Sequence, residues 1–425
     1  MPARLPGTSR AEQVVAHVDM DCFYAACEQR REPALAGEPL VVGMGYEAGE
    51  SHGAVATATY EAREYGVESA MAISEALERL PRRTDADDEA GTGIYRPVDM
   101  DYYESVATEV KAILQREAEV VREVSIDEAY LDITDRVDWA EADRWAAELR
   151  ATIEAEVNVV ASVGVAPTMS AAKVASDHDK PDGQVVVRPG EVREFVADLP
   201  VEKVHGVGPV TARELARMDV ATAGDLAAAD PETLETRFGE RGREIHRYAR
   251  GEDTRSVTPK GDPKSLSRES AFTEAVGDTE EKRRKVRTLA TAVADRAHRM
   301  DARYRTVGLK VVEPPFDITT RARSLPGPVA DADLVRSIAL DLLGEFEETP
   351  VRKVGVRVSN LDFSAGEQAS LTGFESSADG KSAVTSPTGT GGDGPAGKQT
   401  SLGTFVAEES PDSDDDGQAS LGDFE

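Results

Sequence analysis

The sequence predicts an α+β chain of several domains that ends in a long polar tail, and three observations carry that expectation. Strand-like apolar runs alternate with segments of helical period up to about residue 187, a compact helical stretch fills 188–250, and a β-α-β-β-α-β order occupies 265–361. Composition then changes abruptly. The 425 residues suffice for two to four domains, and 40% apolar with 5% aromatic residues allows ordinary cores. No run approaches the ~20 apolar residues that span a bilayer, and MPARLPGTSR lacks an apolar signal core, so a cytoplasmic protein with no membrane contact is expected. Cys22 and Cys27 are too few and wrongly spaced for a disulfide scaffold and read as reduced packing residues.

The net charge of −31 argues at first against a polyanionic partner. Residues 365–425 hold 12 acids against 2 lysines, yet most of the excess lies outside that tail. Acidity spread over a whole chain fits concentrated salt, where the Debye length falls to ~3 Å and self-repulsion is screened.

In VVAHVDMDCFYAACEQR, residues 14–30, Val14 to Val18 form a buried strand, Asp19 and Asp21 follow, and a helical pattern resumes at Phe23. In VREVSIDEAYLDIT, residues 121–134, the apolar strand positions Val124, Ile126, Ala129, Leu131 and Ile133 surround adjacent Asp127 and Glu128. Two neighbouring anions repel, and desolvating each costs several kcal/mol without a cation, so Mg²⁺ beside a phosphate is the expected resident. A hairpin bend with solvated acids is the alternative. If the two strands are sheet neighbours, Asp19, Asp127 and Glu128 converge and can hold two cations ~4 Å apart, as in-line phosphoryl displacement requires.

Between these strands, Thr57, Tyr60 and Arg63 fall at i, i+3 and i+6 and, on a helix, would offer a hydroxyl, a phenol and a guanidinium along one side. That set suits a triphosphate, since the arginine fork donates two parallel bonds; a plain solvated helix face would look the same. Residues 82–93, RRTDADDEAGTG, read as a surface loop. Helices are expected over 102–116 and 139–156 and a strand over 159–165. In SAAKVASDHDKPDG, Lys173 is either a minor phosphate contact or a solvated helix charge, and His178 lacks the spaced partners of a zinc site. VHGVGPVTARELARM carries a helix-hairpin-helix signature: Gly206 and Gly208 expose backbone amides that can grip a DNA phosphate without sequence preference, and Pro209 opens the next helix; a plain αα turn is the other reading. Residues 251–264 are rich in Pro, Gly and charge and read as a linker.

Together, DMDCFYA, AVATATYEAR (54–63), SIDEAYLD (125–132) and KPDG (180–183), in this order and spacing, resemble the Y-family DNA polymerases of the DNA polymerase IV type, and the likeness runs to about residue 361. The resemblance implies a ferredoxin-like palm at 11–22 and 82–187, small fingers at 23–81, a helical thumb at 188–250, the linker, and an α+β little finger at 265–361 laid in the major groove. It implies a monomer that adds dNTPs to primer-template DNA with low fidelity past lesions, and the acidic composition adds the expectation of an extreme, archaeal halophile as its source. Asp19, Asp127, Glu128 and the Met20 backbone carbonyl would hold two Mg²⁺; Asp21 matches an acid not counted as a ligand. Thr57, Tyr60, Arg63 and Lys180 would hold the triphosphate, and Tyr24 would be the steric gate against a ribose hydroxyl. Lys264, Arg268 and Arg357 would touch the DNA backbone. No additional acidic constellation suggests proofreading. A nucleotidyl cyclase, or a non-catalytic clamp-bound scaffold, is the rival reading.

Residues 362–425 contain few core formers and are expected to be disordered. Three islands interrupt them: Gln368, Leu371 and Phe374; Gln399, Leu402 and Phe405; Gln418, Leu421 and Phe424. Leu and Phe three apart share one face of a helical turn, as a groove-binding peptide needs. Each island resembles the peptide that docks on the sliding clamp, PCNA, with one aromatic where the usual motif has two. Three copies on one tether raise the chance of rebinding and would offset the weak counterion-release term in concentrated salt.

Overall fold

The computed structural model describes residues 13–86 and 89–364. The three tail peptides, from Gln368, Gln399 and Gln418, lie outside the described residues. Strand β1 (Val15–Met20) is buried along nearly its whole length because neighbours flank both edges and helices cover it. Cys22, in a left-handed conformation (φ 47°), turns the chain sharply into α1 (Phe23–Arg31), so the acids at the exit of β1 precede a helix without an intervening loop. Burial pushes the Cys22 thiol up to about 11 and that of Cys27 to about 12, as protonated packing groups require.

A second, three-stranded sheet follows. It contains β2 (Leu40–Met44), β3 (Ala54–Ala58) and, after α2 (Tyr60–Arg63) and α3 (Ile73–Arg79), β4 (Ile94–Pro97), in the order β3-β2-β4. Because β4 pairs in parallel with β2 and Tyr95 donates to the Leu80 carbonyl at 2.8 Å, this sheet runs to Pro97, past the boundary expected at residue 81.

The chain then returns to the first sheet through α4 (Met100–Glu117), whose apolar stripe buries Tyr103, Val106, Val110, Ile113 and Leu114. Hairpin β5 (Val120–Glu123) and β6 (Glu128–Asp132), helix α5 (Ala142–Val157), β7 (Ala161–Ala166), α6 (Met169–His178) and β8 (Gln184–Val186) complete the order β5-β6-β1-β7-β8. Strand β1 is antiparallel to both β6 and β7. Gly164 on β7 is obligatory: a Cβ there would stand 2.2 Å from the Ala172 carbonyl oxygen, so its absence lets α6 press against the sheet.

Helices α7 (Val192–Ala197), α8 (Pro209–Ala216), α9 (Ala223–Ala228), α10 (Pro231–Phe238) and α11 (Glu240–Ala249) form the expected helical unit around Leu215, Leu226, Leu234 and Ile245. The following segment is not a free linker. The Asp253 carboxylate accepts from the Ser170 amide at 3.0 Å and from the Arg255 side chain, Val257 is buried with Val15 and Tyr130, and Lys260 Nζ donates to the Val124 carbonyl at 3.3 Å. Composition hid these ties because those to Ser170, Val15, Tyr130 and Val124 are tertiary.

The last domain has the anticipated order: β9 (Ser265–Val276), α12 (Thr279–Arg299), β10 (Arg303–Glu313), β11 (Asp317–Val329), α13 (Ala332–Leu343) and β12 (Val351–Asp362), with sheet order β11-β10-β12-β9. Arg268 pairs with Val356, whereas Arg357 pairs with Ser267. Side chains directly opposite share a face, so Arg268 lies on the side of buried Val354, Val356 and Val358 and Arg357 on the other. Arg268 and Arg357, both expected at the DNA backbone, thus stand on opposite faces of this sheet. Among the described residues no helix is long and apolar enough to cross a membrane.

Candidate active site

The β1–β6 register sets Asp19 directly opposite Glu128, and Met20 N donates to the Asp127 carbonyl at 3.0 Å. The three acids therefore meet at one end of the sheet. Asp127 does sit in the hairpin bend between β5 and β6, but that bend is built rather than loose. Ser125 Oγ accepts from the amides of Asp127 (3.2 Å) and Glu128 (3.1 Å), and its hydroxyl donates to the Asp127 carboxylate.

Each acid has a different partner. Lys180 Nζ lies 2.5 Å from Asp19 Oδ1 and 3.0 Å from Asp177 Oδ1. Lys173 Nζ lies 2.6 Å from Glu128 Oε2, and His17 Nε2 lies 3.4 Å from the same oxygen. Burial pushes Glu128 up, yet His17 and Lys173 hold it well below the ordinary glutamate value. Burial, then the Lys173 charge, push His17 below its ordinary value. Asp127 meets a hydroxyl rather than a cation, and burial, then the Asp19 charge, push it up to about 6.

Among the described residues no three His, Cys, Asp or Glu side chains stand ready at ligand distances, since Asp19 turns to Lys180 and Glu128 to Lys173. The donor chemistry nonetheless fits a hard divalent cation. Three carboxylates share one strand end, and the one without a lysine is the one whose ionisation is resisted.

Asp21 is a structural acid. It is buried, accepts from Ser162 Oγ (2.9 Å) and from the Asp182 amide (2.8 Å), and so ties β1 to the loop that carries Lys180. Tyr60 Oη donates toward the same carboxylate at 3.4 Å. Arg63 packs its guanidinium 4.7 Å from the Tyr60 ring centroid and donates from Nε to the Ala58 carbonyl. Thr57 departs from expectation: it lies on β3, and the one-turn helix that carries Tyr60 and Arg63 is capped by Thr59, whose Oγ1 accepts from the Ala62 amide. Thr57 therefore shares no helix face with the other two. Tyr24 on α1 is buried and stacks on Tyr103 with centroids 4.8 Å apart, and the Tyr103 hydroxyl donates to Glu28 at 2.8 Å.

In the helical unit, Gly206 adopts φ +84° and its carbonyl accepts from the Arg241 guanidinium at 3.1 Å. Gly208 is the N-cap of α8, whose first residue is Pro209. Among the described residues neither glycine amide donates to a backbone carbonyl in a turn or cap. His178 meets the edge of the Phe195 ring at 5.1 Å, a packing role. Sequence reasoning overlooked His17, Ser125 and Ser162 and read Lys173 as a phosphate contact or a solvated charge. The spacing of Lys173 and Ser176 on a helix facing a glycine-bearing strand was the available signal.

The impB/mucB/samB family model matches residues 18–177, its C-terminal domain matches 263–371, and its helix-hairpin-helix motif matches 189–220. DNA polymerase IV of Halobacterium salinarum is 60% identical over 377 residues, covering 88% of this chain and 92% of that protein. The chain belongs to the Y family of DNA polymerases, DNA polymerase IV type. The Y-family enzyme of Methanoculleus marisnigri, also named DNA polymerase IV, is 40% identical over 85% of this chain and 98% of its own length. A solved Y-family DNA polymerase chimera, Dbh-Dpo4-Dbh, superimposes with TM-score 0.73 at 27% identity, covering 83% of this Y-family chain and all of the chimera. An insertion ternary complex of Dbh DNA polymerase superimposes with TM-score 0.59 at 26% identity over 83% of this chain and 100% of its own. The first sheet and the last domain stand where the resemblance to the family led us to expect the palm and the little finger.

Proposed function

We propose that this Y-family polymerase extends a primer 3′ end from dNTPs, past damaged template bases, with Asp19, Asp127, Glu128 and the Met20 carbonyl holding two Mg²⁺. The observation that carries this reading is the meeting of three carboxylates at the exit of β1 with one of them left without a cation. Bound there, the two ions supply Lewis acidity at the primer hydroxyl and the triphosphate. The remaining work belongs to side chains. Lys180 stands on a loop held by Asp21 and can follow the β- and γ-oxygens while Asp177 keeps its ammonium in reach. Tyr60 and Arg63 hold the same triphosphate, and Thr57 approaches it from β3. Tyr24, wedged against Tyr103, presents a ring that cannot yield to a ribose hydroxyl. The amides of Gly206 and Gly208 grip a DNA phosphate with dipoles, a contact that survives concentrated salt better than lysine pairs do. Arg357 contributes from the open face of the little finger. The Gln368, Gln399 and Gln418 peptides tether the enzyme to the sliding clamp.

Primer extension with and without clamp, across a salt series, tests this reading. Wild type is expected to extend and Asp127→Ala to leave the primer unextended, a loss of at least about 10³-fold for removal of a metal carboxylate. Removal of residues 365–425 is expected to spare unassisted synthesis and abolish clamp stimulation. A cyclic nucleotide product, or extension by Asp127→Ala, would overturn the assignment.

A further inference from the structure

Helix α6 lies against β7 at the close approach that Gly164 permits, and it turns Lys173 and Ser176 beneath β1. Ser176 Oγ lies 2.8 Å from the Lys173 carbonyl oxygen, toward which it donates, and 2.8 Å from Nδ1 of His17. The ring then brings Nε2 to 3.4 Å from Glu128 Oε2. His17 closes one side of Glu128 sterically, while the Lys173 ammonium binds Oε2 at 2.6 Å.

The two lysines of the site differ in kind. Lys180 sits on a loop with two carboxylate partners, so it can leave Asp19 and remain held by Asp177. Lys173 is on a helix, only 14% exposed, with its ammonium committed to one carboxylate oxygen. We infer that Lys173 is a positioning residue for Glu128, fixing the orientation in which that carboxylate binds metal, and does not contact the nucleotide. This rests on the reading above that Glu128 holds a metal ion.

The test uses the full chain on a primer-template lacking the 3′-hydroxyl, titrated with Mn²⁺ and followed by electron paramagnetic resonance, together with dNTP KM for extension at saturating metal. Lys173→Met is expected to raise the Mn²⁺ half-saturation about tenfold, the range for loss of an outer partner of a ligand, and to leave dNTP KM unchanged. Lys173→Arg should restore part of the Mn²⁺ affinity. Should Lys173→Met fail to fold, Lys173→Gln, which keeps a donor without the charge, carries the same expectation. Wild-type Mn²⁺ affinity in the uncharged variant, or a raised dNTP KM at saturating metal, overturns the positioning role. Glu128→Gln separates the two failures: if it too binds Mn²⁺ like wild type, Glu128 is no ligand and the reading beneath the inference has failed.

Discussion

Two sheets of this polymerase use the same bond to opposite ends. In the palm, Glu128 is 8% exposed and pairs with Lys173; in the little finger, Glu269 is 13% exposed and pairs with Lys353 at 2.6 Å and Lys310 at 3.0 Å. Burial pushes both carboxylates up, and the lysines nevertheless hold both below the ordinary glutamate value. The difference is the count. Around Glu128 stand Asp19, Asp127 and Asp177 against two lysines, whereas Glu269 stands alone between two lysines on a face that also carries Arg357. Gly355 makes the second arrangement possible, since a Cβ there would lie 2.6 Å from Glu269 Cγ and stop it lying flat across the strands. The palm is left wanting a cation and the little-finger face wanting an anion. In a chain of net charge −31, local sign is set by which side chains the register brings together.

The sharpest way to break the comparison is at Lys180, the loop-borne lysine of the acid-rich cluster. Lys180→Ala leaves Asp19 and Asp177 unopposed and takes a cation from the triphosphate. Truncating one partner of a buried charge pair costs about 2 kcal/mol or more, on the order of 30-fold. That loss is expected in dNTP KM, measured by single-nucleotide incorporation at saturating metal. An unchanged KM would mean that Lys180 serves the carboxylates alone.

A balanced cluster calibrates the other two. Asp253 and Arg255 form an ion pair at 3.0 Å, with the guanidinium 4.9 Å from the Tyr248 ring centroid, and Asp253 straps the segment before the little finger to the Ser170 amide. Burial pushes Asp253 up, but Arg255 holds it below its ordinary value of 3.8. A depressed carboxylate stabilises the fold fully above its ordinary value and loses that contribution as pH falls through the folded value. Asp253→Asn should therefore lower stability by about 1–3 kcal/mol near neutrality, and its deficit against wild type should narrow only once pH falls below 3.8. Urea unfolding of both proteins over that range measures it. A deficit independent of pH would assign the role to packing instead of charge.

Much of the palm was legible because its chemistry coincides with its pattern. DMD ends an apolar run, and the alternation of Ala129 and Leu131 around buried Tyr130 sets the β6 register that brings Glu128 to Asp19. Thr57 was misplaced because a short apolar run fits either period. The alternation in AVATAT, rich in small and β-branched residues, marks the strand that was found. The pairing of β4 with β2 had no local signal, being four residues long and parallel to a strand fifty positions earlier. The same holds for the Asp253 strap. Lys173 looked like a solvated helix charge because nothing local says how close α6 approaches β7. Gly164, set between Val163 and Val165 in β7, was the trace of that approach.

The smallest effect should come from the lysine-rich side, and its sign is the informative part. Glu269→Gln keeps a side chain of the same size across Gly355 but removes the charge that occupies Lys310 and Lys353. If this face meets the DNA backbone, Lys310 released from Glu269 should tighten binding severalfold at low salt and steepen the slope of log K against log salt by about one unit. Lys310→Met should act in the opposite direction. Anisotropy of a labelled primer-template over a KCl series reads both. Equal slopes in wild type and Glu269→Gln would mean that the two lysines serve only to hold Glu269, and that the open face of the little finger meets DNA elsewhere than at this cluster.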